Sequence, residues 1–320
     1  MAKKLLLSIV LISLLCGCSN LMPADPADRI LAGAHEFGAT ALAFTPDGQR
    51  LISGGFRGEL RIWDAATQRP LGELRGHRRA VRAILPLPSG DFVSGGDDGR
   101  LILWHGAHVK AQVEGADVTA LALFQGQVVS GHADAQLRVW SADSLKLLRT
   151  LPLDGKVVAI SAHGDHLAIG LPGSILLLDA DFRTNRTLST QGVPHDLQFS
   201  PDGRLLAAGS WFRLDLWDVA SGAFRSIPTE HNGLLASIAF SPDGRYLASV
   251  GRYTDSAVRV LDTADFSVVR RYQAHDLCGA AIRFSPDGRT LATASDDESV
   301  RLFRFGQAPY AGGGAIPSAH

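Results

Sequence analysis

Seven copies of one phrase, spaced about forty residues apart, run through nearly everything after Ile30. A unit this short cannot bury a core by itself. Copies that follow one another so closely must therefore stack, each covering the apolar face of the next.

The phrase is clearest where Phe240-Ser241-Pro242-Asp243-Gly244-Arg245 is echoed by Phe284-Ser285-Pro286-Asp287-Gly288-Arg289. It recurs at Phe199-Ser200-Pro201-Asp202-Gly203 and Phe44-Thr45-Pro46-Asp47-Gly48. A large apolar residue closes each copy: Trp63, Trp104, Trp140, Leu178, Trp217, Leu261 and Phe303. Their separations of 41, 36, 38, 39, 44 and 42 residues count seven units. Between these anchors lie short alternating stretches, such as Leu60 and Ile62 or Leu101 and Leu103, broken by Gly, Asp and Pro turns. Period-two alternation between tight turns predicts strands. The expected fold is all-β, a seven-bladed propeller of four-stranded antiparallel blades.

Gly76-His77 before a first strand, the Ser-Pro-Asp-Gly turn and Trp63-Asp64 at the end of a third strand resemble the WD-repeat family over roughly residues 29 to 305. That resemblance implies a scaffold for protein partners. It also implies a buried network of His, hydroxyl, Asp and Trp in each blade, whose polar groups satisfy one another away from water. Copy two carries the full set, His77, Ser94, Asp98 and Trp104. Copy seven has His275, Thr293 and Asp297, with Phe303 in place of Trp. In copy one, Arg57 occupies the acid position beside His35, Ser53 and Trp63, and copy three shows Ser130, Asp134 and Trp140 without the His. Copy four keeps almost nothing, so Ile175 and Leu177 are expected to hold it by apolar packing.

A propeller has to close its ring or leave two free sheet edges. Arg29 to His35 resembles Gly72 to His77, the stretch leading from one copy into the next. The N-terminal strand is thus expected to complete the last blade. Residues 306–320, rich in Gly, Ala and Pro, are expected to be a disordered tail.

Ahead of the repeats, Lys3 and Lys4 precede an apolar run from Leu5 to Leu15 that is too short to span a bilayer. Leu15-Cys16-Gly17-Cys18 then resembles the bacterial lipoprotein cleavage box, with Cys18 as the acylated residue. On this reading residues 1–17 are a signal peptide and 18–28 a lipidated tether. With Ser19 following instead of Asp, the sorting pattern that this resemblance implies favours the outer membrane over the inner one, and the periplasmic face is expected ahead of the cell surface. An ordinary signal peptide with two small buried cysteines is the alternative.

Removing Lys3 and Lys4 lowers the basic count from 31 to 29 against 32 acids, a formal charge near -3. No basic field is offered to nucleic acid. Only Cys278 is left as a free thiol, so no intrachain disulfide is expected.

No haem-attachment, nucleophile-elbow or phosphate-loop motif is present, and neither catalytic residues, a cofactor nor a metal is expected. His105 with His108, and His163 with His166, are spaced so that either pair could in principle take a metal. Their ordinary reading is solvated turn residues. Asp97-Asp98 and Asp296-Asp297 look like acid pairs, yet neighbours in a tight turn point apart; the second member of each is assigned to its blade network.

The turns between second and third strands supply the candidate partner site. Copy one places Phe56 and Arg57 there, copy five Trp211, Phe212 and Arg213, and copy six Arg252 and Tyr253. Asp296 of copy seven adds an acid, and Arg78 and Arg79 of copy two extend the edge. Aromatic and Arg side chains are enriched at interface hot spots, and copies five, six, seven and one become neighbours once the ring closes. Inward packing of Trp211 or Phe212 is the competing expectation. The function anticipated is a non-catalytic, lipid-anchored scaffold for an envelope protein or peptide. The runner-up is a propeller that binds a small ligand or cofactor in its central channel.

Overall fold

The structure, a computed structural model, describes residues 24–306. The described strands form seven four-stranded antiparallel sheets, and no helix occurs among the described residues. In blade one the strands are Ala39–Phe44, Arg50–Gly55, Glu59–Asp64 and Pro70–Arg75, in that order from the axis outward. First strands touch one another around the ring, blade seven meeting blade one, and so line a central channel.

Burial follows from that stacking. The second strand of blade two, Phe92–Gly96, is buried throughout because neighbouring blades cover both its faces. Outermost strands such as Leu147–Pro152 are largely exposed. Gly54, Gly95 and Gly131 sit where the next blade presses closest. A Cβ at these positions would come within 2.7, 2.4 and 2.3 Å of Val81, Val118 and Val157, so the glycine in each Ser-Gly pair is a packing requirement.

The repeated Pro-Asp-Gly words form the turns between first and second strands. In blade six the Asp243 carboxylate accepts from Ser241 Oγ at 2.6 Å and from the Arg245 amide at 3.1 Å, a side-chain mimic of a backbone turn.

Ring closure is as expected. Arg29–Leu31 pairs antiparallel with the third strand of blade seven, in register Arg29 to Leu302 and Leu31 to Val300. Leu31 and Ala34 are buried in the core between blades seven and one. In blade four, Ile175 and Leu177 are buried against Leu197, Leu206 and Trp217 of blade five.

One boundary differs. Residues 25–28, expected to belong to a free tether, lie against the propeller. Asp25 donates its amide to the Arg271 carbonyl at 2.8 Å and accepts from the Gln273 amide at 2.8 Å, forming a parallel bridge to Tyr272 on the outer strand of blade six. The Asp28 carboxylate accepts from the Arg304 amide, and Ala27 packs on the core that holds Tyr272 and Phe303. Backbone groups left open on an outer strand thereby find partners. The signal peptide, Cys18 and residues 307–320 of the tail lie outside the described residues.

Candidate functional site

Two sets of side chains stand out, one buried in the blades and one exposed on the face where each blade is entered. In blade two, Trp104 Nε1 donates to Ser94 Oγ at 2.8 Å. Ser94 Oγ lies 2.7 Å from His77 Nε2, and His77 Nδ1 lies 2.9 Å from Asp98. Only a neutral imidazole protonated on Nδ1 satisfies every member, since Ser94 already receives the indole proton and gives its own to Nε2. Burial holds the His77 pKa below its ordinary value although Asp98 opposes this. In blade seven, His275 joins Thr293 at 2.7 Å and Asp297 at 3.0 Å, while Phe303 packs on Tyr272 with centroids 4.4 Å apart and planes tilted by 36°.

Three departures from expectation concern this network. In blade one the acid is Glu59, not a residue at position 57: its Oε1 lies 2.9 Å from His35 Nδ1. Glutamate's extra methylene lets it reach back from the start of the third strand. Arg57 points outward, paired with Glu36 at 3.2 Å and lying 4.5 Å over the Phe37 ring. In blade three a His is present after all. His132, from the second strand itself, places Nε2 2.7 Å from Ser130 and turns Nδ1 to the Ala116 carbonyl, so Asp134 pairs with Arg138 instead. Blade six holds a set that its sequence conceals, with His231 2.9 Å from Ser249 and 3.1 Å from Asp255. Its turn is longer, which moves the acid two positions along. Burial disfavours the charge on Asp255 and Asp297, but hydrogen bonds from His231 and His275 prevail and hold both carboxyls well below the usual range.

The histidine pairs do not form metal sites. His105 binds Asp91 at 2.7 Å, beside Lys110 at 3.0 Å, and the His163 and His166 rings pack near Phe199. No group of three or more His, Cys, Asp or Glu is arranged to hold a metal among the described residues. Asp97 is engaged by Arg82 through two nitrogens. In the channel, Asp196 accepts from Ser237 Oγ at 2.8 Å, which also accepts from Arg283 at 2.9 Å, tying blades five, six and seven together.

The exposed set lies on the entry face. Trp211 and Tyr253 come from adjacent blades and stack, with centroids 5.5 Å apart and planes 2° from parallel. Phe212 lies beside Trp211, and all three rings stay exposed, so neither Trp211 nor Phe212 turns inward. Arg252 lies 5.8 Å over the Tyr253 ring and holds Asp296 at 2.8 Å. Burial raises the Asp296 pKa despite Arg252 and Arg82 nearby. The carboxylate is thus committed within the chain rather than free for a partner. Arg213 is likewise drawn to Asp215, and Arg79 to the Asp97 carbonyl. Arg78 remains exposed, and Phe56 lies half-buried beneath Arg82.

Sequence reasoning missed Phe37 and Leu277, both 56% exposed, in the loops entering blades one and seven. Cys278, next to Leu277, accepts from the Tyr253 amide at 3.3 Å, and Phe37 lies under Arg57. Phe37, Phe212 and Tyr253 adopt left-handed φ values of 66°, 62° and 71°, costly for bulky residues. The available signal was an aromatic residue inside a turn, where a small polar one is ordinary.

A family model described as "WD domain, G-beta repeat" matches residues 29–64, 68–105, 183–218, 224–262 and 266–304. The chain belongs to that family. The WD repeats of blades three and four fall outside the matched stretches, in keeping with the altered network of blade three and the apolar blade four. Periodic tryptophan protein 2 of Arabidopsis thaliana is 29% identical over 227 residues, covering 66% of this chain and 25% of that protein. Cilia- and flagella-associated protein 52 of Homo sapiens is 26% identical over 224 residues, with 69% and 32% covered. Protein HIR1 of Candida albicans is 35% identical over 196 residues, with 56% and 21% covered. The chain spans a third or less of each relative. WD-repeat propellers typically serve as protein-interaction scaffolds.

Proposed function

We propose that this WD-repeat propeller is a non-catalytic docking platform of the bacterial envelope, anchored by lipid on Cys18 to the periplasmic face of the outer membrane. Its partner is an envelope protein or peptide that covers the arc from Trp211 to Arg57. The observation that carries this reading is the exposed stack of Trp211 on Tyr253, since aromatic surface held in strained turns serves no core. Blades packed on both faces keep the arc rigid, which limits the entropy lost on docking.

The experiment is in-cell crosslinking of the tagged protein beside its Trp211→Ala, Arg252→Ala double variant. A partner captured by the parent and lost from a normally melting variant supports the arc. Equal capture by both contradicts it, and a co-purifying small molecule without any protein would favour ligand binding in the channel.

A further inference from the structure

The N-terminal segment does not leave the propeller at an arbitrary point. Two backbone hydrogen bonds fasten Asp25 to the outer strand of blade six, and Arg270 stands 3.8 Å from its carboxylate. Asp28 and Ala27 then fix the chain in the crease between blades six and seven. Whatever lies upstream must depart from this edge.

We infer that the outer edge of blades six and seven is the side of the propeller that faces the lipid surface. This rests on the reading of Cys18 as the lipidated residue. Asp25 is seven Cα steps along the chain from Cys18, a reach of at most about 25 Å even when fully extended. Four strands at about 4.8 Å spacing on each side of a channel make the disc roughly 40 Å across. The tether is therefore too short to carry blade three, on the far side, down to the membrane. Arg29 is exposed at this edge, while Arg304, Arg270 and Arg271 face Asp28, Asp25 and Glu230, so the reach of the tether, and not a field of free cations, sets this orientation.

The same edge leads directly to the docking arc. Arg271 binds Glu230 at 2.6 Å, Glu230 meets Arg259 at 3.6 Å, and Arg259 binds Asp255 at 3.0 Å, two residues from Tyr253. With blade six against the lipid, the entry face stands upright on the membrane. Trp211 and Tyr253 are then presented sideways, near the headgroups, to a protein held in the same membrane.

The test places a fluorophore at Gln273→Cys or at Leu148→Cys, in a Cys278→Ser background. Both sites are exposed, one beside the Asp25 bridge and the other on the outer strand of blade three. Each protein is bound to vesicles whose lipid headgroups carry a quencher, both as the acylated chain and with six histidines replacing residues 1–18 on nickel-chelating lipid. Quenching several-fold stronger at 273 than at 148 is expected. Equal quenching, or stronger quenching at 148, overturns the inference. The histidine version answers even where mass spectrometry of the exported chain finds no acyl group, a result that would refute the lipid anchor and leave the geometry standing.

Discussion

Glu59 stands 2.9 Å from Nδ1 of His35, completing in blade one the arrangement that Asp98 and His77 make in blade two from an earlier turn position. Both acids orient a buried imidazole towards a hydroxyl that also takes an indole proton. Removing the acid leaves a buried ring N–H without its acceptor. Glu59→Ala is expected to cost about 1–3 kcal/mol, whereas Arg57→Ala, on the surface, should stay within about 0.5 kcal/mol. Urea midpoints of the two variants decide which residue closes the network.

His77→Ala strands Ser94 and Asp98 together, and a loss of about 1–3 kcal/mol is expected. An unchanged unfolding midpoint would mean that the interblade core, not the network, determines the stability of blade two.

Closure by the N-terminal strand predicts a large effect from a short deletion. Removing residues 29–34 takes away the outer strand of blade seven together with buried Leu31 and Ala34. The melting temperature should fall sharply and proteolysis should begin at blade seven. Normal melting of the truncated chain would refute the closure.

Stability should decline on acidification in two stages. Burial lowers the pKa of His77, His132 and His231, so below about pH 6.5 the unfolded chain binds more protons than the folded one. Their contribution is complete above that pH and is lost as pH falls. Asp255 and Asp297, held low despite burial chiefly by their histidines, add a second loss below about pH 4. Unfolding free energies measured between pH 7.5 and 3.5 that fail to decrease would contradict both assignments.

Gly38 has a φ of +113°, and a Cβ there would lie 2.7 Å from the Asp296 Cα. Gly38→Ala is expected to push the blade seven turn aside, loosen the Arg252–Asp296 pair and weaken partner capture along with stability. Partner capture unaffected by Gly38→Ala would show that this turn lies outside the docking surface.

How far the molecule could be read beforehand varies with the distance over which each feature is determined. The Pro-Asp-Gly turns, the seven closing residues and the stretch from Arg29 to His35 are local words, and each reports its own backbone or its own repeat. Blade number, strand order and ring closure therefore follow from the sequence. The blade two and blade seven networks were legible for the same reason, because their acids keep the common spacing from the hydroxyl.

The remainder depends on reach across strands and blades. Glu59 serves His35 by one extra methylene, His132 approaches Ser130 from within its own strand, and two added turn residues carry Asp255 to His231. No fixed spacing encodes these contacts. Whether Trp211 pointed in or out was open until Tyr253 of the next blade supplied a ring to stack on, and Asp296 looked free until Arg252 claimed it. Composition and repeat spacing by themselves determined the propeller; only the packing of strands and neighbouring blades decided which side chains serve the fold and which face outward, because the deciding partner lies 24 residues away for Glu59 and 44 for Asp296, at no spacing that the repeat fixes.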